Sequence, residues 1–133
     1  LAHYMKNSIK YNSLIRPYAP YIFWGLIALV SKLLLMEYSG SLPSFPHSDK
    51  VIHACLFAMI TLTGYLAYAN YSKWLYTSLI IYGAITEIMQ QMFTATRFAS
   101  VYDWLADVIG VLLAVFVIKI IINNFKSKLS YAN

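Results

Sequence analysis

Four apolar stretches separated by short polar segments dominate the chain, at residues 19–36, 51–69, 74–93 and 101–122. Each stretch approaches the roughly 20 residues that a helix needs to cross the hydrocarbon core of a bilayer. The segments between the last three stretches are short, so neighbouring helices have to reverse direction. The pattern predicts an all-α integral membrane protein, built as an antiparallel four-helix transmembrane bundle.

Composition agrees with this interpretation. Hydrophobic residues make up 60% of the 133 residues, which is more than an ordinary soluble domain of this size contains. We expect a cytoplasmic N-terminal segment at 1–16, the membrane domain at 17–123 and a basic, frayed cytoplasmic tail at 124–133. Residues 1–4 precede Met5 and are interpreted as a remnant of cloning, with Met5 as the natural start.

The distribution of positive charge predicts the orientation. The net charge is +5, but the basic residues flank apolar segments and form no continuous patch, which argues against a nucleic-acid partner. Four crossings leave only three basic residues, Lys32, Lys50 and Arg97, on one side of the membrane. The larger set belongs to the other side: Lys6, Lys10, Arg16, Lys73, Lys119, Lys126 and Lys128. The positive-inside rule therefore predicts that both termini are cytoplasmic.

Negative charge is concentrated at the opposite ends of the apolar segments. The acidic residues of the chain are Glu37, Asp49, Glu87, Asp103 and Asp107. Alternating helices bring all of them to the outer face of the membrane. Carboxylates within apolar segments are costly, so they usually mark a functional site or a specific internal partner. We therefore expect a polar site at this level.

Helical spacing places these polar residues on shared faces. Residues that share a face are Asp49 with His53, Glu87 with Gln90, and Asp103 with Asp107. Below the last pair, Gly110 and Ala114 form a small-xxx-small motif that lets two helices approach closely. Arg97 lies in the short loop above, where its planar guanidinium suits an anionic ligand or the neighbouring carboxylates.

The polar positions also resemble a known family. The resemblance rests on D-K-x-x-H, E-x-x-Q, a Phe, an Arg, a Ser and D-x-x-x-[ND]-x-x-G, carried by Asp49, Lys50, His53, Glu87, Gln90, Phe93, Arg97, Ser100, Asp103 and Gly110. This order is similar to that of the VanZ-like family of small membrane proteins, over roughly residues 49–114. One departure is Asp107, where many members carry Asn. The resemblance implies a role in the bacterial cell envelope and plasma membrane, where access to lipid-linked wall precursors or lipoglycopeptides such as teicoplanin is altered.

The first functional hypothesis is a binding protein. An outward-facing pocket between helices 2, 3 and 4 would hold a membrane lipid head group, a lipid-linked cell-wall precursor or an amphiphilic antibiotic. Its candidate ligand-binding residues are Asp49, His53, Glu87, Gln90, Arg97, Ser100, Asp103 and Asp107. The aromatic residues expected to flank acyl chains are Phe57, Phe93, Phe98 and Tyr102, whose alternative roles are core packing and interfacial anchoring.

The second hypothesis is an intramembrane enzyme. His53, Glu87, Asp103 and Asp107 are the residue types that bind a divalent metal ion. With Arg97 nearby, such an ion would suit phosphoryl transfer on a lipid-linked envelope substrate. The sequence contains no familiar lipid-phosphatase or CDP-alcohol transferase motif, and no Ser or Cys stands beside His at a spacing that sequence can certify.

A structural scaffold is the third interpretation, and each residue has a structural alternative. Asp49 and Asp103 are candidate helix caps, and His53 and Gln90 are candidate interhelical hydrogen-bonding groups. A carboxylate such as that of Glu87 would then only satisfy a buried partner, Arg97 or His53. Asp107 would be neutral and hydrogen-bonded at its depth in the bundle.

Overall fold

A computed structural model describes residues 16–36, 47–95 and 98–130 of the chain. These residues are helical and contain no strand, which confirms the all-α class. The elements are α1 (Ala19–Leu35), α2 (Ser48–Tyr68), a 3-10 helix (Ala69–Tyr71), α3 (Ser72–Phe93) and α4 (Val101–Ser130).

The predicted segments coincide with the helices, with two differences at helix ends. Helix α2 begins at Ser48, so Asp49 and Lys50 lie in its first turn. Helix α4 continues to Ser130, where a frayed tail was expected after position 122. The added residues include Lys, Phe and Leu and no Gly or Pro, so nothing in them terminates a helix.

Length and composition support a membrane location. Among the described residues, two helical stretches, Ser48–Phe93 and Val101–Phe125, are long and apolar enough to cross a membrane. The apolar helix Ala19–Leu35 has 17 residues and is shorter than this criterion. These findings indicate a membrane protein, while the four crossings and the cytoplasmic termini stay predictions.

The core is formed where the helices meet, with α2 in contact with each of the other three. Its buried apolar members are Phe23, Val30, Leu34, Phe57, Ile60, Leu75, Leu79 and Val111. In a bilayer the lipid is as apolar as these side chains, so close packing rather than water exclusion holds such a core together.

Helices α2 and α4 make a particularly close approach at Gly110. A Cβ atom added at Gly110 would collide with the carbonyl oxygen of Ala54. Ala114, one turn further along α4, is also buried. The predicted small-xxx-small contact is therefore confirmed, and it positions His53 of α2 opposite Asp107 of α4.

Candidate functional site

His53 and Asp107 form the innermost polar contact. The imidazole Nδ1 of His53 donates to Oδ1 of Asp107 across 2.9 Å, and both side chains are buried. The contact joins α2 to α4 one turn from the close approach at Gly110. A buried ionisable pair of this kind needs such short geometry, because desolvation opposes its formation.

The second oxygen of Asp107 faces α3. Oδ2 has no hydrogen-bond partner among the described residues. A Cβ atom at Gly83 would lie 3.0 Å from this oxygen and 3.3 Å from the ring of Phe57. Glycine at this position therefore provides the space that the Asp107 carboxylate occupies.

Glu87 brings α3 to the same cluster. Its Oε2 accepts a hydrogen bond from the backbone N–H of Ser100 at 2.9 Å, which connects α3 to the residue preceding α4. Its Oε1 is buried, lacks a hydrogen-bond partner among the described residues and lies 3.8 Å from Nδ1 of His53. Glu87 therefore offers an unused acceptor to the cluster.

Ser100, and not Asp103, provides the capping side chain at the start of α4. The hydroxyl of Ser100 accepts from the backbone N–H of Asp103 at 3.3 Å, as a helix-capping side chain does. The carboxylate of Asp103 is directed instead to Lys50, whose Nζ lies 3.0 Å from Oδ1. The side chain of Ser100 thus stabilises the start of α4, while its backbone holds Glu87.

Lys50 lies at the rim of the cluster and was not among the predicted ligand-binding residues. Its Nζ also lies 3.0 Å from Oδ2 of Asp49, so one ammonium group bridges α2 and α4. The signal was present in the sequence, because Lys50 stands three residues before His53 and shares its helix face. This bridge is about one-third exposed and contributes little to stability by itself.

Asp49 lies at the rim of the site. It belongs to the first turn of α2, and His47, with a backbone φ of 65°, precedes the helix instead. The proposed N-cap role of Asp49 is therefore wrong, since the helix starts one residue earlier. Its negative charge in the first turn still interacts favourably with the helix dipole.

Gln90 lies one turn from Glu87 and serves packing between helices. Its Nε2 donates to the backbone carbonyl of Leu34 at 2.9 Å, and the side chain is buried. The interhelical role is confirmed. This contact directs the amide toward α1.

The remaining predicted residues divide between the core, the surface and the part outside the described residues. Phe57 is fully buried and packs against Tyr82, with ring centroids 5.7 Å apart, so its alternative role in core packing is confirmed and its contact with acyl chains is wrong. Phe93, Phe98 and Tyr102 are largely exposed near the same end as the cluster. Arg97 lies outside the described residues, and its role stays a prediction.

Three of the predicted metal ligands converge. His53, Glu87 and Asp103 each offer one ligand atom, and these atoms lie within 4.8 Å of one another. Asp107 is not a member of this group and contacts His53 instead. The cluster is therefore rich in acceptors, and chemically it suits a metal cation, an ammonium group or hydroxyl donors.

Comparisons with known proteins add no relative. No family model, no curated protein and no solved structure matches this chain. The VanZ-like resemblance stays a prediction that rests on the sequence positions quoted above.

Proposed function

We propose that this chain is a VanZ-like, multi-pass protein of the bacterial plasma membrane that binds the polar head of an amphiphilic envelope molecule at its outer face. The ligand is a membrane lipid, a lipid-linked cell-wall precursor or a lipoglycopeptide, and binding lowers susceptibility to teicoplanin. The observation that carries the proposal is the convergence of His53, Glu87 and Asp107 from three helices.

The chemistry of the cluster favours ligands that donate hydrogen bonds. Glu87 and Asp107 each keep a buried oxygen with no hydrogen-bond partner among the described residues. An amine or hydroxyl group would satisfy such an oxygen, and an unsatisfied buried acceptor otherwise costs about 1–3 kcal/mol. Sugars and amines of envelope amphiphiles carry these donors.

The surroundings of the cluster suit an amphiphile. Lys50 and Asp49 form a partly exposed polar rim at the start of α2. The exposed rings of Phe93, Phe98 and Tyr102 lie close by in the chain, where aromatic groups favour the membrane interface. A head group at the rim would then leave its acyl chains against these rings.

Metal-dependent catalysis on a phosphoryl-bearing lipid is the alternative function. The observation in its favour is the proximity of His53, Glu87 and Asp103. The sequence carries no familiar lipid-phosphatase motif and no Ser or Cys beside His at a spacing that sequence can certify, so a catalytic step has little other support. Binding is therefore the preferred function.

The test is teicoplanin susceptibility in a sensitive Gram-positive host that expresses the full chain. We expect the wild-type chain to raise the inhibitory concentration at least fourfold, and Glu87→Gln and Arg97→Lys to abolish the increase. Gln removes the charge of Glu87, and Lys cannot form the planar fork of Arg97. The matched control is Gln91→Ala, an exposed position on the same helix as Glu87.

Membrane levels of each variant are measured by immunoblot, and thermal melting in detergent checks folding. No increase with the wild-type chain would refute the proposed resistance. Full protection by folded Glu87→Gln would refute the role of the cluster.

A further inference from the structure

We infer that His53, Glu87 and Asp103 form a binding site for one divalent transition-metal ion. These residues come from α2, α3 and α4, so an ion would join three helices. The inference concerns the ion alone and does not depend on the proposed envelope role.

The geometry requires only a small contraction. The three ligand atoms lie within 4.8 Å of one another. Metal bonds to imidazole and carboxylate are about 2.0–2.2 Å long, which places neighbouring ligand atoms about 3–3.5 Å apart. Ion binding therefore requires the three ligand atoms to move closer together, toward this spacing.

An independent observation points to a ligand at this position. Glu87 Oε1 is buried, has no hydrogen-bond partner among the described residues and lies 3.8 Å from Nδ1 of His53. Proteins rarely bury an acceptor without a partner. A cation bound by Oε1 supplies that partner, which a solvated carboxylate would not require.

Asp107 acts as a positioning residue for the imidazole. It accepts the Nδ1–H of His53 at 2.9 Å, which leaves the lone pair of Nε2 for an ion in the neutral ring. Metal-binding histidines commonly donate their other N–H to a carboxylate in this way. Gly83 provides the space for Asp107, as shown by the 3.0 Å separation between its Oδ2 and a Cβ at that position.

Asp103 can change partners at little cost. It pairs with Lys50 at 3.0 Å, but Lys50 also contacts Asp49 at 3.0 Å. An ion that takes Asp103 therefore leaves Lys50 with its other carboxylate. The site is also only partly exposed at Asp103, which gives an ion a route from the rim.

The ligand set selects the class of ion. One imidazole with two carboxylates suits Zn²⁺ or Mn²⁺ better than Ca²⁺ or Mg²⁺, which prefer oxygen ligands alone. Three protein ligands leave at least one coordination position for another group.

The experiment uses the full chain purified in detergent, stripped with a chelator and titrated with ZnCl₂ or MnCl₂ by calorimetry. We expect one ion per chain, confirmed by elemental analysis after desalting. His53→Gln, Glu87→Gln and Asp103→Asn should each weaken binding at least tenfold. Gln91→Ala, at an exposed position of α3 outside the cluster, is the control and should change affinity less than twofold.

Positioning by Asp107 has its own readout. Co²⁺ replaces the titrated ion, and its visible spectrum reports the ligand geometry. Asp107→Asn should weaken binding about tenfold and shift this spectrum, because the orientation of the imidazole changes. A weakened variant with the wild-type spectrum would contradict positioning.

Two results would overturn the inference. One is that neither ion binds the wild-type chain, and the other is that the wild-type affinity persists in Glu87→Gln and Asp103→Asn. Melting curves identify any unfolded variant. Asp103→Asn changes a partly exposed side chain and is therefore expected to leave the core intact. If the chain protects against teicoplanin but binds no ion, only the metal site is refuted. If it binds the ion but gives no protection, only the envelope role is refuted.

Discussion

At the scale of single residues, the polar cluster combines strong contacts with unused acceptors. Asp107 uses one carboxylate oxygen for His53 and keeps the other against Gly83. Glu87 uses one oxygen for the backbone of Ser100 and keeps the other near His53. Two of these buried carboxylate oxygens have no hydrogen-bond partner among the described residues. Because burying a carboxylate costs free energy, this arrangement favours a cation or a hydrogen-bond donor as ligand over a purely structural role.

A neighbouring pair of glutamines tests which polar residues only hold helices together. We expect Gln90→Ala to lower the free energy of unfolding by about 1–2 kcal/mol, because it removes the hydrogen bond to Leu34 and some packing. Gln91→Ala, at an exposed position, should change it by less than about 0.5 kcal/mol. Thermal or denaturant unfolding in detergent measures both variants. Equal effects would show that the contact of Gln90 carries no stability.

The residues of the cluster that could be predicted from the sequence are those whose place follows from helical spacing. His53, Glu87 and Asp103 were predicted because each stands near the outer end of an apolar segment. Lys50 shares the helix face of His53, but its pairing with Asp103 of another helix is a tertiary contact that helical spacing does not reveal. Phe57 was assigned to lipid contact, since periodicity cannot decide which of two apolar faces is internal.

At the scale of helices, small residues decide how closely the polar groups meet. Gly110 lets α4 approach the backbone of α2 at Ala54. The sequence predicted the small-xxx-small motif at Gly110, but it did not predict that α2 is the helix that contacts it. Helix ends were less predictable, because the starts depend on local capping by residues such as Ser100 rather than on hydrophobicity.

A pair of glycine substitutions tests this close approach. Gly110→Ala should destabilise the chain by about 1–3 kcal/mol or more, because its Cβ would overlap the carbonyl of Ala54. Gly25→Ala in α1 has no atom within 4 Å of the added Cβ and should be neutral or stabilising by up to about 1 kcal/mol. Melting in detergent measures both. A stable Gly110→Ala variant would show that α2 and α4 are not held at this distance in solution.

At the scale of the whole molecule, the predicted helical class is confirmed, while the membrane path rests on sequence. Alternation of apolar segments predicted the order of helices seen in the structure. Orientation comes from the charge asymmetry alone, because a set of packed helices has no intrinsic inside or outside. The outward position of the site is therefore a prediction that depends on the predicted cytoplasmic location of the termini.

The length of α4 makes this orientation testable. Val101 and Ser127 are separated by about 39 Å along the helix at ~1.5 Å per residue, more than the ~30 Å hydrocarbon core. Both side chains are exposed, and Cys55, the single cysteine, can be changed to Ser to give an unlabelled background. In that background, an impermeant maleimide should label Val101→Cys in intact cells and Ser127→Cys only after permeabilisation. Labelling of Ser127→Cys in intact cells would reverse the orientation, and equal labelling of both from outside would mean that α4 does not cross the membrane.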